Sequence, residues 1–375
     1  TTGSSTRRAG APVHETDDTV SDMHGNARRT ASDLTVEVAA ATDLAEGPEA
    51  VRAMLWNVHR RGAVPVRELA RAVSLPVPVV AAVRRELERQ GVLERRGGIQ
   101  LTEAGTRLVR DGLGMCSAHH FDAAARVGRA QLSHPVAAAV LAELTDVAGG
   151  RPSVDVRLDQ SHGTPETQVR RAVLMYESDA LEGRDVAVLG DDDLLSVALA
   201  LFRRAAAPGG PAPGRIVALD TDERLVDYVD GVSAERDLGI ESVVHDLRDP
   251  LPEALAGQFD VFATDPPYTV AGLELFVSRA VRALRPGRGR QGFISFAHKS
   301  PEEMVSVQAK LVEMGLCLRR VVPDFNRYEG SQVLAGSSQM MHVVTTARTR
   351  RTMTGRYDGQ LYTAELGQSP RRPDG

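Results

Sequence analysis

Short apolar runs alternate with amphipathic helices through the second half of the chain, and that rhythm restricts the fold more than any other feature. "DVAVLG", "GRIVALD", "IESVVHD", "FDVFATDPPY" and "RQGFISFAH" each read as a buried strand. Between them stand helical segments such as "DLLSVALALFRRA", "ERLVDYVDGVSAE" and "GLELFVSRAVRAL". Strands this apolar need helices on both faces, so the spacing predicts an α/β, doubly wound, Rossmann-like sheet. Such sheets bind their ligands at the carboxyl ends of the strands.

Upstream the pattern differs. "EAVRAMLWNVHRRG", "PVRELARAVSLP" and "VPVVAAVRRELERQG" read as three short helices, and "VLERRGGIQLTEAG" as a hairpin. That order predicts a small winged helix-turn-helix domain over residues 47–110. Residues 1–46, rich in Thr, Ser, Asp, Gly and Arg, are expected to be a disordered extension. A helical connector is expected over 111–154, the Rossmann-like catalytic domain over 155–350, and a tail over 351–375. Arg84, Arg85 and Arg89 interleave with Glu86, Glu88 and Glu94, and the formal net charge is -5. No basic stripe develops, so nucleic acid is not an expected partner. The two cysteines, Cys116 and Cys317, form no CxxC pair, which argues against a zinc site or a disulfide and fits a reducing cytoplasm. His119 and His120 adjoin Cys116 but lack the further ligands a tetrahedral metal site needs. No apolar run reaches the roughly 18 residues of a membrane span, and the start of the sequence lacks the apolar core of a signal peptide. No metal and no membrane are expected.

Acidic residues stand at four consecutive strand ends: Asp191, Asp192 and Asp193 after Gly190, then Asp220, Asp246 and Asp265. Asp220 occupies the place where a nucleoside-binding sheet puts an acid for the ribose hydroxyls. Asp246 is placed to meet the adenine amino group. In "DPPY", Pro266 and Pro267 fix the backbone and remove two amide donors. With Asp265 they would form a cup of acceptors for an amine nitrogen, while Tyr268 adds an aromatic face. The same tetrapeptide marks enzymes that alkylate amino nitrogens with S-adenosylmethionine, which extends the expectation to a class I methyltransferase-like sheet. Those enzymes normally carry a Gly-x-Gly turn where this chain has three aspartates. A carboxylate tail would meet repulsion of roughly 4 kcal/mol per charge pair about 4 Å apart at an effective dielectric near 20. The triplet therefore favours a donor whose tail carries only an ammonium, or a polycationic acceptor. One of the three is expected to cap the following helix.

Taken together, "TPETQVRRAVLMYESDALEGRDVAVLGDDDLLSVALAL", "ALDTDERL", "HDLRDPLPE", "DPPYT" and "DFNRYEG" resemble the branched-chain polyamine synthases, or N4-bis(aminopropyl)spermidine synthases, over about residues 155–345. The resemblance implies transfer of aminopropyl groups from decarboxylated S-adenosylmethionine to a secondary amine of a polyamine, with release of methylthioadenosine. It also implies a homodimer whose N-terminal domain is not chiefly a DNA reader. On that footing Asp192, then Asp193, is the candidate base, and Asp265 steers the amine. Gly190, Asp191, Asp220, Asp246 and Asp159 would bind the donor, Asp191 through the donor's ammonium. Pro266, Pro267, Tyr268 and Tyr176 would bind the acceptor, with Tyr328 as a further apolar wall and Gln160 beside Asp159. Three alternatives stay open. One is transfer of a 3-amino-3-carboxypropyl group from S-adenosylmethionine to a specialised metabolite, as in isonocardicin synthase, with Arg170 or Arg171 facing the donor's carboxylate. The others are a DNA adenine-N6 methyltransferase and a non-catalytic polyamine sensor.

Overall fold

A computed structural model describes residues 30–121, 132–210, 214–329 and 336–362. Composition predicts disorder over residues 1–46. Of these, residues 1–29 lie outside the described residues, and 30–41 form a helix, α1, that packs into the main core. Ala31, Val38 and Ala39 are buried on one face of α1. Their helical spacing is masked in the sequence by the polar residues between them. Helices α2 (Pro48–Arg61), α3 (Val66–Val73) and α4 (Val77–Arg89) follow, then a hairpin of β1 (Leu93–Arg95) and β2 (Ile99–Leu101). Val64 bridges Ile99 and widens the hairpin to a third short strand. On α4, Arg84 pairs with Glu88 at 2.9 Å and Arg89 with Glu86 at 2.5 Å. These arginines face their own glutamates rather than forming a cationic surface.

After α5 (Glu103–Arg107), helix in the expected connector is regular only over α6 (Pro135–Ala148) among the described residues. Arg52 of α2 ties this region together: it donates to the Leu113 carbonyl at 2.9 Å and the Glu182 carbonyl at 2.7 Å.

The main sheet has seven strands in the order β5-β4-β3-β6-β7-β9-β8. Strands β3 (Val186–Leu189), β4 (Ile216–Asp220), β5 (Ile240–Val244), β6 (Val261–Thr264) and β7 (Gln291–Ala297) are parallel. Two more, β8 (Leu316–Arg327) and β9 (Ser337–Thr345), pair antiparallel to each other, and β9 runs antiparallel to β7. Sequence periodicity foresees the five parallel strands and misses this pair. Strand β8 lies at an edge, contains Pro323 and two irregularities of register, and exposes Arg319, Asp324 and Arg327. That is how an edge strand avoids pairing with other chains, and it obscures the strand signal.

Successive residues of each strand point to opposite faces, and the two faces build two cores. Val186 and Val188 of β3 join one, with α7 (Pro165–Glu177), α8 (Leu195–Ala206) and the N-terminal helices. Ala187 and Leu189 join the other, with α10 (Val270–Ala283) and α11 (Pro301–Glu313). Connections from β3 run outward to β4 and β5 in one direction and to β6 and β7 in the other. A crevice opens at such a reversal, here between the carboxyl ends of β3 and β6. Among the described residues no helix is long and apolar enough to cross a membrane.

Candidate active site

The chain turns sharply after β3. Gly190 has φ 75°, and a Cβ there would meet the Phe276 ring at 3.4 Å. Only glycine adopts this conformation without strain, and it brings backbone rather than side chain to the crevice. The three aspartates that follow have three different fates. Asp191 is buried and turned away from the crevice: its carboxylate accepts the Ser196 amide at 3.2 Å and the Ser196 hydroxyl in the first turn of α8. It is the expected capping member of the triplet. Burial pushes its carboxyl up to about 7, against the Ser196 hydrogen bonds that favour ionisation. Because it does not line the cavity, it does not face a donor's ammonium. That assignment is corrected.

Asp193 is also buried and off the cavity wall. It accepts the Gly163 amide and the Arg171 guanidinium, the latter at 2.8 Å. A second Arg171 nitrogen donates to Asp265 at 2.8 Å, and Nε donates to the Asn326 side chain at 2.8 Å. Arg171, on α7, thus bridges the ends of β3 and β6 and is only 3% exposed. Burial works against its charge, but Asp193 and Asp265 more than offset that, so it stays cationic. With every direction of the fork engaged, Arg171 is not available to a donor carboxylate. Arg170 instead stacks 4.5 Å above the Phe325 ring. Neither meets the requirement of the aminocarboxypropyl alternative.

Asp192, between them, lines the cavity and accepts the Ser161 amide at 3.1 Å. No cation pairs with it among the described residues. Burial, followed by the charges of Asp193, Asp220 and Asp265, holds its carboxyl well above the usual carboxylate range. The triplet therefore leaves one uncompensated carboxylate directed at the crevice.

Asp220 ends β4 and accepts the amides of Asp191 at 2.8 Å and Asp222 at 2.9 Å, one on each oxygen. Burial raises its carboxyl although these amides oppose the rise. It still lines the cavity, and each oxygen keeps a second lone pair. Asp246 does not line it. Its carboxylate accepts the Arg248 amide at 2.9 Å and borders a separate depression beside Arg356. His245 and Leu247 take its place on the wall, because the turn after β5 faces Asp246 outward.

Asp265 accepts the Tyr328 hydroxyl at 2.8 Å as well as Arg171. The Tyr268 and Tyr328 hydroxyls are 2.6 Å apart, and Tyr328 also meets the Ser338 hydroxyl at 2.8 Å. Tyr328 is a polar hub rather than an apolar wall. Pro266, Pro267 and Tyr268 all line the cavity, but the Pro267 carbonyl accepts the Thr269 amide at 2.7 Å, which reduces the expected cup of free acceptors. Tyr176 is misplaced by the sequence argument. It is fully buried under α2, edge-on to Trp56, with its hydroxyl 2.6 Å from that of Ser117.

The cavity these groups enclose measures about 370 Å³, within the range of about 300–1,000 Å³ typical of small-molecule sites. Leu158, Leu219, Leu247 and Phe276 make its apolar walls, and Asp159, Asp192, Asp220 and Asp265 its acidic ones. Residues 155–163 roof it: Gln160 donates to Asp222 at 3.1 Å, and Ser161 and Gly163 donate to the triplet. His245, Lys299 and Tyr362 line the cavity without having been foreseen. No group of His, Cys, Asp and Glu among the described residues is arranged to hold a metal ion.

Comparison with known proteins places this geometry. Residues 139–371, more than half of the chain, match the profile of the branched-chain polyamine synthase A C-terminal domain. An uncharacterized protein of Methanocaldococcus jannaschii is 36% identical over 322 residues, 85% of this chain and 79% of that protein. N(4)-bis(aminopropyl)spermidine synthase of Thermococcus kodakarensis is 33% identical over 68% of this chain and 70% of its own. The crystal structure of the branched-chain polyamine synthase from Thermus thermophilus, in complex with N4-aminopropylspermidine and 5'-methylthioadenosine, superposes with a TM-score of 0.56 at 28% identity. It covers 90% of this chain and 98% of that one. The chain belongs to the branched-chain polyamine synthase family.

Proposed function

We propose that the protein transfers an aminopropyl group from decarboxylated S-adenosylmethionine to a secondary amine of a polyamine-type acceptor, releasing methylthioadenosine. The observation that carries this reading is Asp192: an acid on the cavity wall with no cationic partner among the described residues, while Arg171 pairs with both Asp193 and Asp265 and offsets one of their two charges. The cavity suits a nucleoside with a cationic tail. Leu219, Leu247 and Phe276 flank the adenine, the free lone pairs of Asp220 accept the ribose hydroxyls, and Asp159 takes the ammonium of the tail.

The acceptor arrives as an ammonium and must lose a proton to expose its lone pair. Asp192 accepts that proton in its ionised form, and the burial and neighbouring acids that hold it well above the usual carboxylate range make that form a strong base. The nitrogen then attacks the methylene carbon bonded to the sulfonium. The carbon–sulfur bond breaks, its electron pair neutralises the sulfur, and the new nitrogen–carbon bond leaves a tertiary ammonium. Asp265, fixed by Arg171 and Tyr328, stabilises the positive charge where it develops and orients the nitrogen. Arg170 and Arg171 are both engaged elsewhere, so neither meets the donor carboxylate that the aminocarboxypropyl alternative assigned to them.

Asp192→Asn is the direct test of the base. Losing a positioned general base lowers rates by about 10²–10⁴, so release of methylthioadenosine should fall by that factor. Methylthioadenosine itself should still bind. A variant with wild-type turnover would remove Asp192 from the mechanism.

A further inference from the structure

Four acidic residues line the cavity, and one permanent cation stands with them among the described residues: Lys299. It follows β7, two residues beyond Ala297. Its ion-pair partner is Glu303 of α11 at a loose 3.9 Å, and that carboxylate is 56% exposed. The neighbouring His298 is turned to Asp324 at 3.3 Å. A lysine is out of place in a cavity reserved for cations, since it repels any ammonium brought near it.

Strand order says which part of the substrate it meets. Asp220 ends β4, the aspartate triplet follows β3, Asp265 follows β6, and Lys299 follows β7. Neighbouring strands lie about 4.8 Å apart. Lys299 therefore sits about one strand step beyond Asp265 and three beyond the ribose-binding acid, on the acceptor side. A polyamine arm of a few methylenes spans about 5–6 Å at ordinary bond lengths, so the group that ends the acceptor's arm arrives at Lys299. Methanocaldococcus jannaschii carries a named N(4)-bis(aminopropyl)spermidine synthase that is 31% identical over 258 residues, yet this chain is 36% identical over 322 residues to a second, uncharacterized protein of the same organism.

We propose that Lys299 is a specificity-determining residue, and that the acceptor is a secondary amine with one aminoalkyl arm and one arm ending in a carboxylate. This rests on the aminopropyl-transfer reading above and narrows its acceptor. The carboxylate pairs with Lys299, the other ammonium meets the acidic wall, and the reacting nitrogen lies between Asp192 and Asp265.

The test compares spermidine with N-(4-aminobutyl)-β-alanine, in which a carboxylate replaces one terminal aminomethyl group. Release of methylthioadenosine from decarboxylated S-adenosylmethionine is followed for the wild type, Lys299→Met and Lys299→Glu. Affinities of both amines for the protein saturated with methylthioadenosine are measured alongside. The wild type should favour the carboxylated amine by at least about tenfold in kcat/KM, one charge-pair's worth of discrimination. Lys299→Met should erase that preference and Lys299→Glu reverse it. A wild-type preference for spermidine, with both amines affected equally by the substitutions, would overturn the proposal. So would Lys299-dependent turnover of S-adenosylmethionine, which would put the carboxylate on the donor. If no amine supported turnover, the transfer reading would fail, while the affinity ratio would still judge Lys299.

Discussion

Replacing Arg171 by methionine removes the cation that joins the two halves of the crevice. The side chain is buried and makes two 2.8 Å contacts to carboxylates, Asp193 and Asp265, plus one to Asn326. Taking away one partner of a buried ion pair costs about 3–5 kcal/mol, because the remaining charge is left desolvated. Here two carboxylates are stranded, so the upper part of that range applies. At about 2–4 °C per kcal/mol for a domain of this size, the melting temperature should fall by roughly 10–20 °C. Catalysis changes in a recognisable direction too. Asp193 and Asp265 already push Asp192 up; without Arg171 their charge is undiluted, so the acidic limb of the pH–rate profile moves to higher pH. Calorimetry and methylthioadenosine release against pH read the two effects separately. Arg171→Met combined with Asp193→Asn should recover part of the lost stability, since one stranded charge is gone. A melting temperature within about 3 °C of wild type, about 1 kcal/mol, with an unmoved pH profile would refute the bridging role.

Asp191 supplies a pH dependence of stability. Its folded carboxyl ionises at about 7 against 3.8 for an ordinary one, so the folded state holds a proton that the unfolded chain releases. That contribution is full below about 3.8, declines by on the order of 1.4 kcal/mol per pH unit above it, and is lost once pH passes about 7. Asp191→Asn should therefore flatten the fall in melting temperature between pH 5 and pH 7; an unchanged slope would contradict the assignment. Asp220→Asn should weaken methylthioadenosine binding by about ten- to a hundredfold, the worth of hydrogen bonds to a charged group. Asp246→Asn, at a side chain turned away from the cavity, should leave it within about twofold by isothermal titration. The opposite order would restore Asp246 to the nucleoside site.

The parallel half of the sheet was legible because its strands are short apolar runs, β3, β4 and β6 buried on both faces, and the acids at Asp192, Asp220 and Asp265 could be located from where those runs end. What sequence could not resolve was direction. Asp191, Asp192 and Asp193 are identical in type and adjacent, yet backbone geometry after Gly190 sends the first to Ser196, the second to the cavity and the third to Arg171. Asp246 and Tyr176 failed for the same reason: a turn and a helix face carry each side chain away from the crevice. Arg171 and Lys299 were hidden differently. Sequence names Arg171 only beside Arg170 as a partner for a donor carboxylate; its bridging role is fixed in part by Asn326 of β8, a strand that periodicity missed. Lys299 gains meaning only when β7 is placed beside β6.

The claim on which the account turns is the charge of the donor's tail, and donor choice tests it most directly. The protein is offered equal amounts of S-adenosylmethionine and its decarboxylated form with an amine acceptor, and the product is weighed by mass spectrometry. The account predicts an acceptor heavier by one aminopropyl unit for each methylthioadenosine released, with the carboxylated donor left unused. A product carrying an aminocarboxypropyl or a methyl group would contradict it.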